Sequence, residues 1–160
     1  DTACPGWPGG KSLFKKTRSI MSRQDSSETA CYWELAMQVQ DVSNYLSKRF
    51  QKASDSEKVV LGIMARWCIY NSFRAYADFH DLSLENAGKT MDLLSACERC
   101  RLWNVLPEIH QTCLEEVARN RYTELPENEA EKFECLELCR TAVSLAKGIS
   151  GIVIQTVTLQ

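Results

Sequence analysis

The sequence predicts an all-α fold, a disulfide-stapled helical bundle of about five helices arranged around one central apolar helix. Three observations lead there. Apolar residues recur every three or four positions through most of the 160 residues. Two four-residue helix-start signatures, Asp25-Ser-Ser-Glu28 and Ser54-Asp-Ser-Glu57, stand before the longest of these stretches. Eight cysteines, at positions 4, 31, 68, 97, 100, 113, 135 and 139, are dispersed along the whole chain, the placing expected of crosslinks between separate elements.

Residues 1–11 carry Pro5, Gly6, Pro8, Gly9 and Gly10 and read as a turn-rich lead-in tied down through Cys4. A short amphipathic helix is expected from Ser12, with Leu13, Thr17, Ile20 and Met21 on one face and basic residues opposite. After the Asp25 to Glu28 capping box a long helix follows, whose inward positions are Cys31, Leu35, Val39, Val42, Leu46 and Phe50. The Ser54 capping box opens the central helix, where Val59, Val60, Leu61, Ile63, Met64, Trp67, Cys68, Ile69, Tyr70, Phe73, Tyr76 and Phe79 surround nearly the whole circumference. Gly62 suits a close helix contact there.

Ser83 is expected to cap a third long helix through Ala87, Met91, Leu94, Cys97 and Cys100 toward Trp103, broken or kinked before Pro107. Helix resumes with Ile109, Cys113 and Val117 pointing inward. Pro126 is placed at the first position of the next helix, with Glu127, Glu129 and Glu131 near its positive dipole end and Phe133, Leu136, Cys139 and Val143 facing inward. Cys135 and Cys139, one turn apart, are each expected to meet a different cysteine across the bundle. Lys147-Gly148 resembles a helix stop, so residues 149–159 are either that helix continued or a short β-branched strand, with the helix preferred. No linker or repeat divides the chain, and 1–160 reads as one domain.

Composition limits the function classes. Hydrophobic content of 44% and charged content of 25% are those of an ordinary globular domain. A net charge of -2 gives no basic excess for a polyanion, so nucleic acid is not an expected partner. No uninterrupted apolar run is long enough for a membrane span. The even cysteine count and a start at Asp1, as in a mature secreted protein whose leader has been removed, lead to the expectation of an extracellular protein with all eight cysteines in disulfides. No Asn-x-Ser/Thr acceptor supports that expectation. The competing use of the thiols is a zinc site from Cys97, Cys100, His110 and Cys113, but the first pair falls inside a helical pattern rather than on a turn, so no metal and no cofactor is expected.

Only two histidines are available for acid-base work. His80-Asp81 matches the His-Asp pair of secreted calcium-dependent phospholipases A2 in those two residues alone, without the cysteine-glycine calcium loop upstream. With no Gly-x-Ser-x-Gly, no His-Glu-x-x-His and no phosphate loop, no catalytic residue is assigned and an enzyme is not expected. The expected function is that of a secreted interaction module, a cytokine-like or effector-like bundle that binds a receptor or host protein through its helix faces. Tyr32 and Trp33 are the aromatic anchors chosen, with Lys15, Lys16 and Arg18 as a basic patch. Trp7, Trp103 and Tyr122 are secondary candidates. The second reading is a secreted carrier of lipid or another small apolar ligand, with Met64, Trp67, Phe73, Tyr76 and Met91 lining a cavity. A disulfide-rich secreted hydrolase stands third.

Overall fold

The computed structural model describes residues 28–84 and 91–159, with side chains from Cys31 onward. The lead-in, the helix expected from Ser12, Cys4, the basic residues Lys15, Lys16 and Arg18, and the Asp25 cap lie outside the described residues. Within them the chain is all-α, with five α-helices and no strand: α1 (Glu28–Phe50), α2 (Asp55–Phe79), α3 (Leu93–Arg99), a 3-10 turn (Trp103–Val105), α4 (Glu108–Arg119) and α5 (Glu129–Thr158).

Helix α1 forms on its apolar spacing, and Val39, Val42, Leu46 and Phe50 are buried as that spacing requires. Cys31 and Leu35, nearer its start, are only half-buried. Four residues then turn the chain back into α2. The Ser54 hydroxyl accepts from the Glu57 amide at 3.3 Å, one arm of the expected capping box. The Glu57 carboxylate does not complete the box; it binds Arg49 at 2.6 and 2.9 Å and straps the two helices across the turn. An edge-to-face contact of Tyr32 with Phe79, centroids 5.2 Å apart, brings the far ends of the same two helices together, so α1 and α2 run antiparallel.

Helix α2 is the central element, packed against α1, α3 and α5. Its buried set runs from Val59 through Met64, Cys68, Ile69, Phe73 and Tyr76 to Ala77. Gly62 marks its closest approach to α5: a Cβ there would lie 2.7 Å from the Cys139 sulfur and 3.2 Å from the Cys139 Cα. The bare backbone at Gly62 is what lets the two axes come together.

The α2 and α3 ends share one device. Leu82 N–H donates to the Ala77 carbonyl and Asp81 N–H to Asp78, while Leu102 N–H donates to Cys97 and Arg101 N–H to Glu98. Each is a Schellman motif, and the residue that takes the left-handed conformation is Asp81 (φ 56) in one and Arg101 (φ 68) in the other. Neither is glycine, so the usual sequence marker of a helix end is missing at both. Helix α3 is therefore far shorter than the spacing suggests. It starts at Asp92, whose carboxylate accepts from the Ser95 amide and hydroxyl at 2.9 Å each, rather than at Ser83, and it stops before Arg101.

Helix α4 starts directly after Pro107, which is its N-cap. Its inward residues are Leu114 and Val117; Ile109 is 70% exposed and Cys113 half-buried, so the Ile109-Cys113 face expected to point inward is turned partly to solvent. Helix α5 begins at Glu129 behind the Asn128 cap, whose side chain accepts from Glu131 N–H at 3.1 Å, and not at Pro126. Phe133 is 67% exposed, against the inward position expected of it, while Cys135, Leu138, Cys139, Ala142 and Val143 form the buried face.

Gly148 does not stop α5, which continues as one 30-residue helix to Thr158 and settles residues 149–159 as helix. A Cβ at Gly148 would stand 2.4 Å from His110 Nε2, so this glycine admits the α4 imidazole against the α5 backbone. The helix meets the length and composition of a membrane-crossing segment. Its apolar residues here pack on α1, α2 and α4, and a core face needs the same composition.

No two of the described cysteines stand at disulfide distance. Cys135 and Cys139 face each other within one helix instead of reaching across the bundle, and their side chains are hydrogen-bonded. Cys97 and Cys100 are fully buried, Cys100 near Tyr76.

Candidate functional site

Two surfaces on this scaffold carry chemistry, and they lie on different helices. The first is the outer side of α1. Trp33, Met37 and Tyr45 all remain solvent-exposed on the side of α1 away from its buried stripe, Trp33 by 38% and Tyr45 by 48%, spread over roughly a third of the helix circumference. Tyr32, its neighbour in sequence, turns the other way and packs against Phe79 and the core. Of the two aromatic anchors expected from the sequence, only Trp33 is thus presented outward. Trp103 is half-buried, its carbonyl accepting from Gln111 Nε2 at 2.8 Å.

The second surface is a half-open groove of about 370 Å³ beside α2. Ile63, Arg66, Trp67 and Tyr70 form its floor from one face of α2, Met91 and Leu93 supply one rim, and Arg121, Tyr122 and Thr123 the other. The half-buried Arg66 guanidinium reaches across to the end of α4, donating to the Val117 carbonyl and to the Asn120 carbonyl at 3.3 Å. Such a cation satisfies the orphan carbonyls at a helix C-terminus and complements its dipole. Burial and the neighbouring Arg121 both hold the Arg66 pKa below its ordinary value. Tyr122 closes the rim with its phenol pushed up, first by burial and then by Glu134 and Glu131 on the α5 side.

A separate hollow, of about 300 Å³, lies between α4 and α5 and holds His110 and Cys113 with Arg140, Thr141 and Ser144. His110 Nδ1 is buried with no hydrogen-bond partner among the described residues. A thiol beside an imidazole invites comparison with a cysteine nucleophile, but burial and Glu116 push the Cys113 thiol up, which favours the inert protonated form. Three core thiols are shifted the same way: burial takes Cys97 up to about 12, Cys139 to about 12 and Cys100 to about 11. These are structural thiols packed in apolar surroundings.

Cys97 and Cys100 sit in the core while His110 and Cys113 line this outer hollow, and among the described residues no three His, Cys, Asp or Glu side chains converge to hold a metal. The zinc alternative is therefore not assembled. His80 and Asp81 serve as the end of α2, His80 stacked edge-on against Tyr76 at 4.7 Å and Phe79 at 4.9 Å, Asp81 in the left-handed cap. Of the residues proposed to line an apolar cavity, Met64, Phe73 and Tyr76 are packed into the core, and only Trp67 and Met91 reach the groove.

Comparison with protein-family models, with curated proteins and with solved structures finds no match to this chain. Function rests on the geometry alone.

The paired guanidiniums of the groove were not anticipated from the sequence. A signal for half of it exists: positions 63, 66, 67 and 70 share one helical face, and an arginine on a face of aliphatic and aromatic residues is out of pattern. Arg121 comes from a connection between helices, where no periodicity points to a partner.

Proposed function

We propose that this chain is a non-enzymatic interaction protein that docks the outer side of α1 onto a partner protein. The observation that carries the reading is the exposure of Trp33, Met37 and Tyr45 together on the outer side of α1, on a bundle whose own core is already filled by Met64, Phe73 and Ile69. Large side chains that a core leaves outside cost free energy in water, and Trp, Tyr and Met are the types that recover it as buried anchors in an interface. Burial keeps the Cys97 and Cys139 thiols in the protonated form, which supports a packing role for them over a nucleophilic one.

An extracellular setting is a separate proposal that rests on the even number of cysteines alone, since the seven described cysteines are free thiols. Intact mass with and without alkylation tests it: oxidised cysteines in protein from its native source support it, and eight alkylated thiols refute it.

The docking surface is tested by placing a photo-crosslinking amino acid at Met37, with a second chain labelled at the exposed Thr112 of α4 as reference. Capture of one defined protein from Met37 but not from Thr112, abolished by Trp33→Ala in a chain that keeps its thermal midpoint, is the expected result. Equal capture at both positions, or capture indifferent to Trp33→Ala, overturns the assignment of α1.

A further inference from the structure

The groove beside α2 has a chemical character that the interaction surface on α1 does not share. Its floor and one rim are aromatic, aliphatic and thioether surface from Trp67, Tyr70, Ile63 and Met91, while two guanidiniums stand together at the other side. The ion pairs among the described residues join Arg49 to Glu57, Lys132 to Glu129 and Arg140 to Glu137, so neither Arg66 nor Arg121 has a carboxylate partner within them. Arg66 is held by two backbone carbonyls through one nitrogen of its fork, which fixes the guanidinium at the groove wall. Its remaining N–H groups are donors in need of acceptors.

We propose that this groove is a binding site for a small carboxylate with an apolar body, the head between Arg66 and Arg121 and the body along Trp67, Tyr70 and Met91. Charge complementarity selects the head. Two cations crowded at one place, one of them half-buried, repel each other, and an anion between them removes that repulsion while forming charge-assisted hydrogen bonds. The planar fork of arginine matches the two oxygens of a carboxylate. Glu131 and Glu134 act on Tyr122 from the α5 side, and neither forms an ion pair with Arg66 or Arg121 among the described residues.

The body is selected by the walls and the volume. About 370 Å³ is at the small end of the range for sites that enclose organic ligands, and mixed aromatic and Met walls adapt to an alkyl chain or a ring. Four floor residues come from a single rigid helix, so the site is largely preformed and little ordering cost falls on the ligand.

The test is isothermal titration of the full chain with decanoate, with decanol as the same body without charge and acetate as the same head without a body. Saturable binding of decanoate is expected, at least about tenfold tighter than decanol, with no binding of acetate. Arg121→Gln should weaken decanoate about tenfold, and Arg140→Gln, in the hollow between α4 and α5, should leave it unchanged. Arg66→Gln should weaken it further; because Arg66 also secures the end of α4, Arg121→Gln decides the matter if Arg66→Gln does not fold. No saturable decanoate binding, decanol binding as tightly as decanoate, or an Arg121→Gln chain with unchanged affinity each overturns the proposal. A short peptide ending in phenylalanine that binds more tightly than decanoate in the same cell also overturns it, by assigning the site to a peptide terminus.

Discussion

The central helix has two contrasting flanks. Toward α5, Gly62 meets Cys139 so closely that an added Cβ would force Cys139 to shift, and Phe73 and Ile69 are sealed from solvent. Toward the groove, Ile63, Arg66, Trp67 and Tyr70 are flanked, among the described residues, by connecting segments and keep partial exposure. Apolar character is similar on both flanks, yet one is closed by a helix and the other left half-open. Hydrophobicity around a helix reports that burial is sought on every side; it does not report whether an element is there to provide it.

The largest expected effect comes from alkali, because the buried thiols lie on the closed flank and in the adjoining core. Burial raises the folded pKa of Cys97, Cys139 and Cys100 to about 12, 12 and 11, whereas in the unfolded chain each returns to about 8.5. Between those values the folded chain binds more protons than the unfolded one, so stability is complete below about pH 8.5 and falls as pH rises toward 12. Urea midpoints measured from pH 7 to 11 should decline accordingly, and Cys139→Ala should flatten the decline; midpoints independent of pH would show that these thiols are not buried.

Truncation should separate the flanks next. Phe73→Ala leaves a cavity in the closed core and is expected to cost about 4 kcal/mol, whereas Ile63→Ala on the groove side should cost about 1 kcal/mol or less. Equal losses in denaturant unfolding would erase the distinction.

Close approach is tested by adding one methyl. Gly62→Ala should destabilise by about 2 kcal/mol, since Cys139 must give way at both sulfur and backbone. Gly148→Ala should lose about 1.5 kcal/mol by pressing on His110, and most of that should return in the His110→Ala background. Additive losses in that double variant would mean the imidazole is not what the glycine accommodates.

The smallest effect has the opposite sign. Arg101→Gly relieves a left-handed residue at the end of α3 and should raise stability by about 1 kcal/mol in the same unfolding measurement. A loss would show that the Arg101 side chain contributes more than its backbone costs.

Helix spacing made α1, α2 and the existence of α4 and α5 legible, because Val39, Leu46, Val59 and Phe73 repeat as a buried face must. Boundaries were legible only where side-chain chemistry marks them. Ser54 announces the start of α2, while Asp81 and Arg101 end helices in a conformation that sequence associates with glycine. Gly148 shows the converse, a glycine that resembles a stop but serves a tertiary contact with a residue far away in the chain. Phe133 faces outward because it lies two residues before Cys135 and so nearly opposite the buried stripe of Cys135, Leu138, Cys139 and Ala142, a stripe whose phase the run Phe133, Leu136, Cys139 and Val143 misjudges. At the surfaces, Trp33 was legible from its place beside the buried stripe, whereas the pairing of Arg66 with Arg121 depends on where the chain returns after α4.

The uninterrupted run of α5 also bears on how the molecule opens. A helix of 30 residues extends about 45 Å and here touches α1, α2 and α4 along its length. No part of its middle can fray without loosening those three neighbours together. Amide hydrogens around Ala142 to Ile149 should therefore exchange with solvent deuterium only when the entire bundle unfolds, while those of the seven-residue α3 exchange through a separate and much easier local opening.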